Sequence, residues 1–116
     1  MKMTYEAMGA LGVVHVLEDR IDAAVAIAFK DEFRRLVETG DGDVILNLAA
    51  VDFLDSSGLG AVVGARKLLG GDRRLELAGL TPAVDKVMTL TRMNTVFPIH
   101  ADIDTALCAR DPSVAR

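Results

Sequence analysis

Val51-Asp52-Phe53-Leu54-Asp55-Ser56-Ser57-Gly58-Leu59-Gly60-Ala61-Val62-Val63-Gly64 is the stretch on which the reading of this chain turns. Before it runs Val44-Ile45-Leu46-Asn47-Leu48, almost unbroken in apolar side chains, as a buried strand is. After it, Leu59, Val62, Val63 and Leu69 recur at spacings that suit one face of a helix. Between the two sit Asp55, Ser56 and Ser57, residue types whose side-chain oxygens accept free backbone N–H groups at a helix start. The stretch predicts a strand handing over to a helix N-terminus, with two hydroxyls at the junction. Unpaired N–H groups and the positive end of the helix dipole favour an anion there. Ser/Asp in such a place is most often only a cap, but a serine there is also well sited to carry a phosphate.

Working back towards the N-terminus, Gly40-Asp41-Gly42-Asp43 reads as a Gly-rich turn that ends a helix. That helix spans Ala23 to Thr39, with Ala26, Phe29, Phe33, Leu36 and Val37 on its inner face and Asp22 at its cap. Gly12 to Ile21 alternates partly, Val14 and Val16 on one face and Val13, His15 and Leu17 on the other. It predicts a strand, antiparallel to a weaker one over Met3–Gly9 through a hairpin.

Working forward, Gly60 and Gly64 lie four apart within the second helix. Each costs roughly 1 kcal/mol against alanine, which points to close packing inside the domain. Gly70-Gly71 stops this helix, and Arg74–Ala78 reads as a strand. Thr81 caps a third helix with Pro82 at its first position and Val84, Val87, Met88 and Thr91 inside. Val96–His100 looks like an edge strand, because Pro98 cannot donate to a ladder. Asp102 caps a last short helix with Ile103, Ala106 and Leu107, and a polar tail follows from Arg110. The order is β-β-α-β-α-β-α-β-α: an α/β fold with a mixed sheet covered by about four helices.

The 116 residues suit one domain, and 51% apolar with 26% charged residues is ordinary globular usage. A net charge of −4 argues against nucleic-acid binding, and Arg34-Arg35, Arg66-Lys67 and Arg73-Arg74 read as solvated pairs. Cys108 is alone, so no internal disulfide can form, and no Cys/His cluster has zinc-site spacing. No apolar h-region follows Lys2, and no apolar run approaches the ~18 residues of a membrane-spanning helix. The expectation is a soluble, cytoplasmic protein.

Asp52-Phe53-Leu54-Asp55-Ser56-Ser57-Gly58-Leu59-Gly60 after a buried strand resembles the signature of bacterial anti-sigma factor antagonists of the STAS-domain family. Leu17–Asp22 is similar to the family's Leu-x-Gly-Arg-Leu-Asp segment, with Asp19 in place of the usual glycine. Leu77–Val84 resembles the stretch that opens the third helix, and Phe97–Leu107 the closing strand and helix. The resemblance implies a STAS domain over residues 3–109 and a flexible tail over 110–116. It implies Ser56 as the residue phosphorylated by a partner kinase, with Ser57 as an alternative acceptor. Asp55, Ser57 and Gly58 would support the loop, and Asp22, Asp52, Leu54, Leu59 and Arg66 would meet the partner. Implied partners are an anti-sigma factor serine/threonine kinase and a phosphatase acting on the Ser56 phosphate. ATP and its metal would belong to the kinase, leaving this chain without a cofactor, and its own state monomeric or weakly dimeric.

Three other readings compete. STAS domains also serve as docking subunits of transporter or signalling complexes, where phosphorylation of Ser56 would be irrelevant. A hydrolase would use Ser56 as nucleophile, but the surroundings are not Gly-x-Ser-x-Gly, and the only candidate bases are His15, mid-strand, and His100, at a distant strand end. Nucleotide binding at the second helix start lacks a Gly-x-x-x-x-Gly-Lys-Ser/Thr pattern.

Overall fold

The computed structural model describes residues 1–110. Its main sheet has five strands: β1 (Met3–Met8), β2 (Leu11–Val16), β4 (Val44–Asn47), β6 (Leu75–Ala78) and β7 (Ile99–His100), in the order β1-β2-β4-β6-β7. β3 (Arg20–Ile21) and β5 (Phe53–Leu54) form a separate parallel pair. Four helices complete the described residues: α1 (Ala26–Val37), α2 (Ser56–Leu69), α3 (Pro82–Leu90) and α4 (Ile103–Arg110).

β1 and β2 make the expected antiparallel hairpin, with Met8 opposite Leu11 across a two-residue turn. Gly9 opens that turn at φ +66°, where a hairpin needs a residue free of Cβ strain. β2, β4, β6 and β7 run parallel to one another, Val14 beside Leu46, Leu46 beside Leu77 and Leu77 beside Ile99. Those central side chains point to one face and form the main core with Phe29, Phe33, Val62, Ala65, Val84 and Met88 from the first three helices. α4 covers part of the opposite face, where Ile45, Ala78 and Ala106 meet. The rest of that face carries a polar row: Glu6 Oε1 lies 3.1 Å from His15 Nε2, and His15 Nδ1 lies 2.9 Å from Asn47 Nδ2. His15 thus has partners on both neighbouring strands.

Several boundaries shift for local reasons. The strand expected over Gly12–Ile21 breaks after Val16, because Arg20–Ile21 leaves the main sheet to pair with Phe53–Leu54. α1 begins at Ala26 rather than Ala23, since the Asp22 carboxylate accepts from Ala24 N at 3.0 Å and closes a turn. Asp22 is therefore not its cap; Val25 stands there with no side-chain bond. A missing cap costs about 0.5–2 kcal/mol, whereas burying each of Phe29, Phe33, Leu36 and Val37 contributes about 1.5–3 kcal/mol. Packing decides the helix. Thr81 caps α3 with Pro82 at its first position, and Asp102 Oδ1 accepts from Thr105 N at 2.7 Å in α4, both as the residue types predict. The final strand shortens to Ile99–His100 behind a 3-10 turn at Met93–Thr95, and lies at the sheet edge.

Two basic positions differ from a solvated surface. Arg73 donates from Nε to Gly42 O at 2.7 Å and from Nη1 to Val37 O at 3.1 Å, tying the β4 approach to the end of α1. Arg110, the expected head of the tail, ends α4 and reaches Glu76 Oε2 at 3.0 Å and Asp43 Oδ2 at 2.6 Å. Glu76 is only 4% exposed, and His100 Nε2 sits 2.8 Å from its other oxygen. The rest of the expected tail, 111–116, lies outside the described residues.

Candidate functional site at the start of the second helix

The chain leaves β4 through a turn in which Val51 N donates to Leu48 O at 3.0 Å. Thr81 Oγ1 donates to Val51 O at 2.7 Å, so the cap residue of α3 also holds this turn. Asp52 N donates to Asp19 O at 2.9 Å, which leads β5 alongside β3 with Arg20 beside Phe53 and Ile21 beside Leu54. Asp19 therefore serves the loop through its backbone, while its side chain is 77% exposed.

Asp55 is the N-cap of α2: Oδ1 accepts from Gly58 N at 2.8 Å and Oδ2 from Ala23 N at 3.3 Å. Of the three candidate capping residues, the aspartate takes the role and frees both hydroxyls. Ser56 and Ser57 occupy the first two helical positions, and both are exposed. Their amides have no carbonyl one turn back to bond. Gly58 is buried directly beneath them. A Cβ there would lie 1.9 Å from Ile21 O, so only glycine lets the helix start press against β3. The Ser56–Ser57 turn is thus fixed from below and open above.

Around the serines the surface is acidic. Asp19, Asp22, Asp52 and Asp55 belong to the bonded turns just described, and Arg20 is the cation among them, 3.5 Å from Asp22 Oδ2. The Arg20 guanidinium also lies over the Phe53 ring, 5.6 Å from its centre. Phe53 is 47% exposed, whereas Leu54 is 5% exposed and turned into the core. Leu54 accordingly has little side chain to give a partner in this conformation; Phe53 is the apolar group on the surface. Sequence reasoning missed it because alternation aligns Phe53 with buried Val51, but the turn at Val51 reverses the faces. Asp52 is exposed, Asp22 is mostly covered, and Leu59 is half-buried against the core. Arg66 is exposed near the far end of α2, about 15 Å from Ser56 at 1.5 Å per residue.

Gly60 and Gly64 behave differently from the expected internal packing. A Cβ at Gly60 would meet nothing within 4 Å, and one at Gly64 only Lys30 Cδ at 3.1 Å. The glycine that packs is Gly58. The two histidines hold Glu6 with Asn47, and Glu76, so neither is hydrogen-bonded to Ser56. Among the described residues no helix is long and apolar enough to cross a membrane.

The site is an exposed pair of serines at a capped helix start, in an α/β fold, and the family follows from comparison. The STAS domain model matches residues 3–106, and the chain belongs to the STAS domain family. A Bordetella bronchiseptica protein bearing the name anti-sigma factor antagonist BtrV is 26% identical over 117 residues, covering 100% of both chains. An anti-sigma factor antagonist from Mycobacterium paratuberculosis superposes with a TM-score of 0.82 at 28% identity, over 95% of this chain and 94% of that one. The Bacillus protein SpoIIAA shares the fold at 19% identity. Its unphosphorylated form gives a TM-score of 0.72 over 96% and 97% of the two chains, and its phosphorylated form 0.64 over 91% and 96%.

Proposed function

We propose that this protein is an anti-sigma factor antagonist that works by partner switching, with Ser56 as the control point. The unphosphorylated chain binds an anti-sigma factor serine/threonine kinase and so frees a sigma factor for transcription. Phosphorylation of Ser56 ends that binding, and a phosphatase restores it. The observation that carries this reading is the Ser56 hydroxyl, exposed at the first position of α2 because Asp55 makes the cap.

The physical effect of a phosphate there is local. It adds roughly −1.5 to −2 charge and three acceptor oxygens. The fold tolerates this, since a helix N-terminus stabilises negative charge. A partner packed against the same turn does not: it meets new bulk, a costly desolvation and a surface, already acidic through Asp19, Asp22, Asp52 and Asp55, that the phosphate makes more acidic. Binding changes while the domain keeps its conformation. Phe53 with Arg20 over it, Asp52 and the exposed turn of Ser56–Ser57 form the contact surface, and Asp55 acts by positioning the turn.

The test is incubation of the protein with the anti-sigma kinase from its own cell and ATP, read by intact mass and peptide mapping. One phosphate on Ser56, retained in Ser57→Ala and lost in Ser56→Ala, supports the reading. Phosphate on Ser57 alone moves the control point, and no phosphate on either serine leaves the docking-subunit role as the better account.

A further inference from the structure

We propose that the cleft at the amino end of the parallel strands binds a small polyanion, a molecule carrying two or more phosphate or carboxylate groups. The cleft has a volume of about 700 Å³ and lies between the last turn of α2, the loop into β6 and the segment Asn94–Pro98. Arg66, Lys67, Arg73 and Arg74 all line it, and no carboxylate does. In a chain of net charge −4, four cations around one concavity run against the overall composition.

The charges are also poorly neutralised. Among the described residues only Arg74 has a carboxylate within reach, Glu76 at 3.8 Å. Arg66 and Lys67 are exposed with no such partner. Arg73 is held by two backbone carbonyls, and its Nη2 is shielded from water without any hydrogen-bond partner. The C-terminus of α2 supplies about half a negative charge from its free carbonyls, far less than four full positive ones.

Volume and lining narrow the occupant. Small-molecule sites fall at about 300–1,000 Å³, so this cleft accepts a small molecule rather than a folded partner. Val96 and Pro98 give it an apolar wall, against which the uncharged body of the ligand can lie. The Ser56 turn follows the carboxyl end of β4, whereas the cleft adjoins Leu75 at the amino end of β6. The two sites are separated by most of the length of α2, about 20 Å for its 14 residues.

The test is NMR titration of the full chain with inorganic pyrophosphate and, separately, citrate, which distinguishes phosphate from carboxylate ligands. The expected result is saturable movement of the Gly70, Gly71, Asn94 and Thr95 amides with at least one probe, with a Kd below about 1 mM, and little movement at Ser56. Arg66→Ala/Lys67→Ala, on the surface and harmless to folding, should weaken binding about tenfold or more by removing two charge-assisted donors. Lys86→Ala on α3 should leave it unchanged. Absence of saturable movement with both probes, or wild-type affinity in the double variant, would overturn the proposal. So would a response that disappears entirely at about 0.15 M ionic strength, which marks diffuse counter-ion attraction.

Discussion

The Asp55 carboxylate joins the first turn of α2 to the turn before α1, accepting from Gly58 N at 2.8 Å and from Ala23 N at 3.3 Å. One side chain thus fixes the serine turn against the segment that carries Arg20 and Asp22. Asp55→Ala should lose about 0.5–2 kcal/mol, the range for a lost cap. Asp55→Asn keeps one cap acceptor and should lose less. Hydrogen exchange gives the sharper check: Ala23, 32 residues away in sequence, should lose protection together with Gly58. Unchanged exchange at Ala23 would contradict the bridge.

Gly58 and Gly60 are two residues apart, yet alanine should act oppositely at them. At Gly58 the new methyl collides with Ile21 O, a backbone atom that cannot swing away, and overpacking of this kind costs about 1–3 kcal/mol. At Gly60 the methyl meets open space, and the higher helix propensity of alanine should stabilise by up to about 1 kcal/mol. Urea denaturation of the two variants measures both signs.

Much of this was legible in the chain, and what was not has physical causes. Phe29, Phe33, Leu36 and Val37 announce α1 by period, and the apolar run Val44–Leu48 announces the central strand. Thr81-Pro82 and Asp102 announce helix starts through their side-chain chemistry. β3 and β5 were hidden because two-residue strands have no period to detect. Gly58 and Gly60 look alike in sequence, since what separates them is Ile21 O, brought in by tertiary pairing. Arg73 reads as a surface group and His15 only as a mid-strand histidine, because their partners, Val37 and Gly42 in one case and Glu6 and Asn47 in the other, come from other elements. At the serine turn the residue types were readable, but only geometry assigns the cap to Asp55.

Acid should weaken the fold through Asp43 and Asp102. For Asp43, burial pushes the carboxyl up, but the Arg74 backbone N–H and Arg110 outweigh it and hold the group below its ordinary value. The Thr105 backbone N–H lowers Asp102 in the same direction. A folded-state value below the unfolded one stabilises above the ordinary aspartate value, about 3.9, and that contribution is lost as pH falls through the folded value. The urea midpoint should therefore drop between about pH 5 and pH 2. Asp43→Asn should be less stable at neutral pH and show a shallower drop.

Phe53→Ser should separate binding from folding. The ring is half exposed, so the domain should lose only about 1–2 kcal/mol, from half a ring's burial and the Arg20 contact, and stay folded. An aromatic anchor at an interface centre contributes about 2 kcal/mol or more, so kinase affinity should fall by more than about tenfold. Calorimetric binding alongside thermal melting checks the pair of effects.

The most direct test of the central claim is a pull-down from the native cell extract, with wild type, Ser56→Ala and Ser56→Asp as baits, read by quantitative mass spectrometry. Melting curves first establish that all three fold alike, as an aspartate at a helix start permits. Partner switching predicts that wild type and Ser56→Ala retain an anti-sigma kinase and that Ser56→Asp loses it. Retention of one and the same transport or scaffold partner by all three would contradict the account and leave Ser56 as part of a docking surface with no switch.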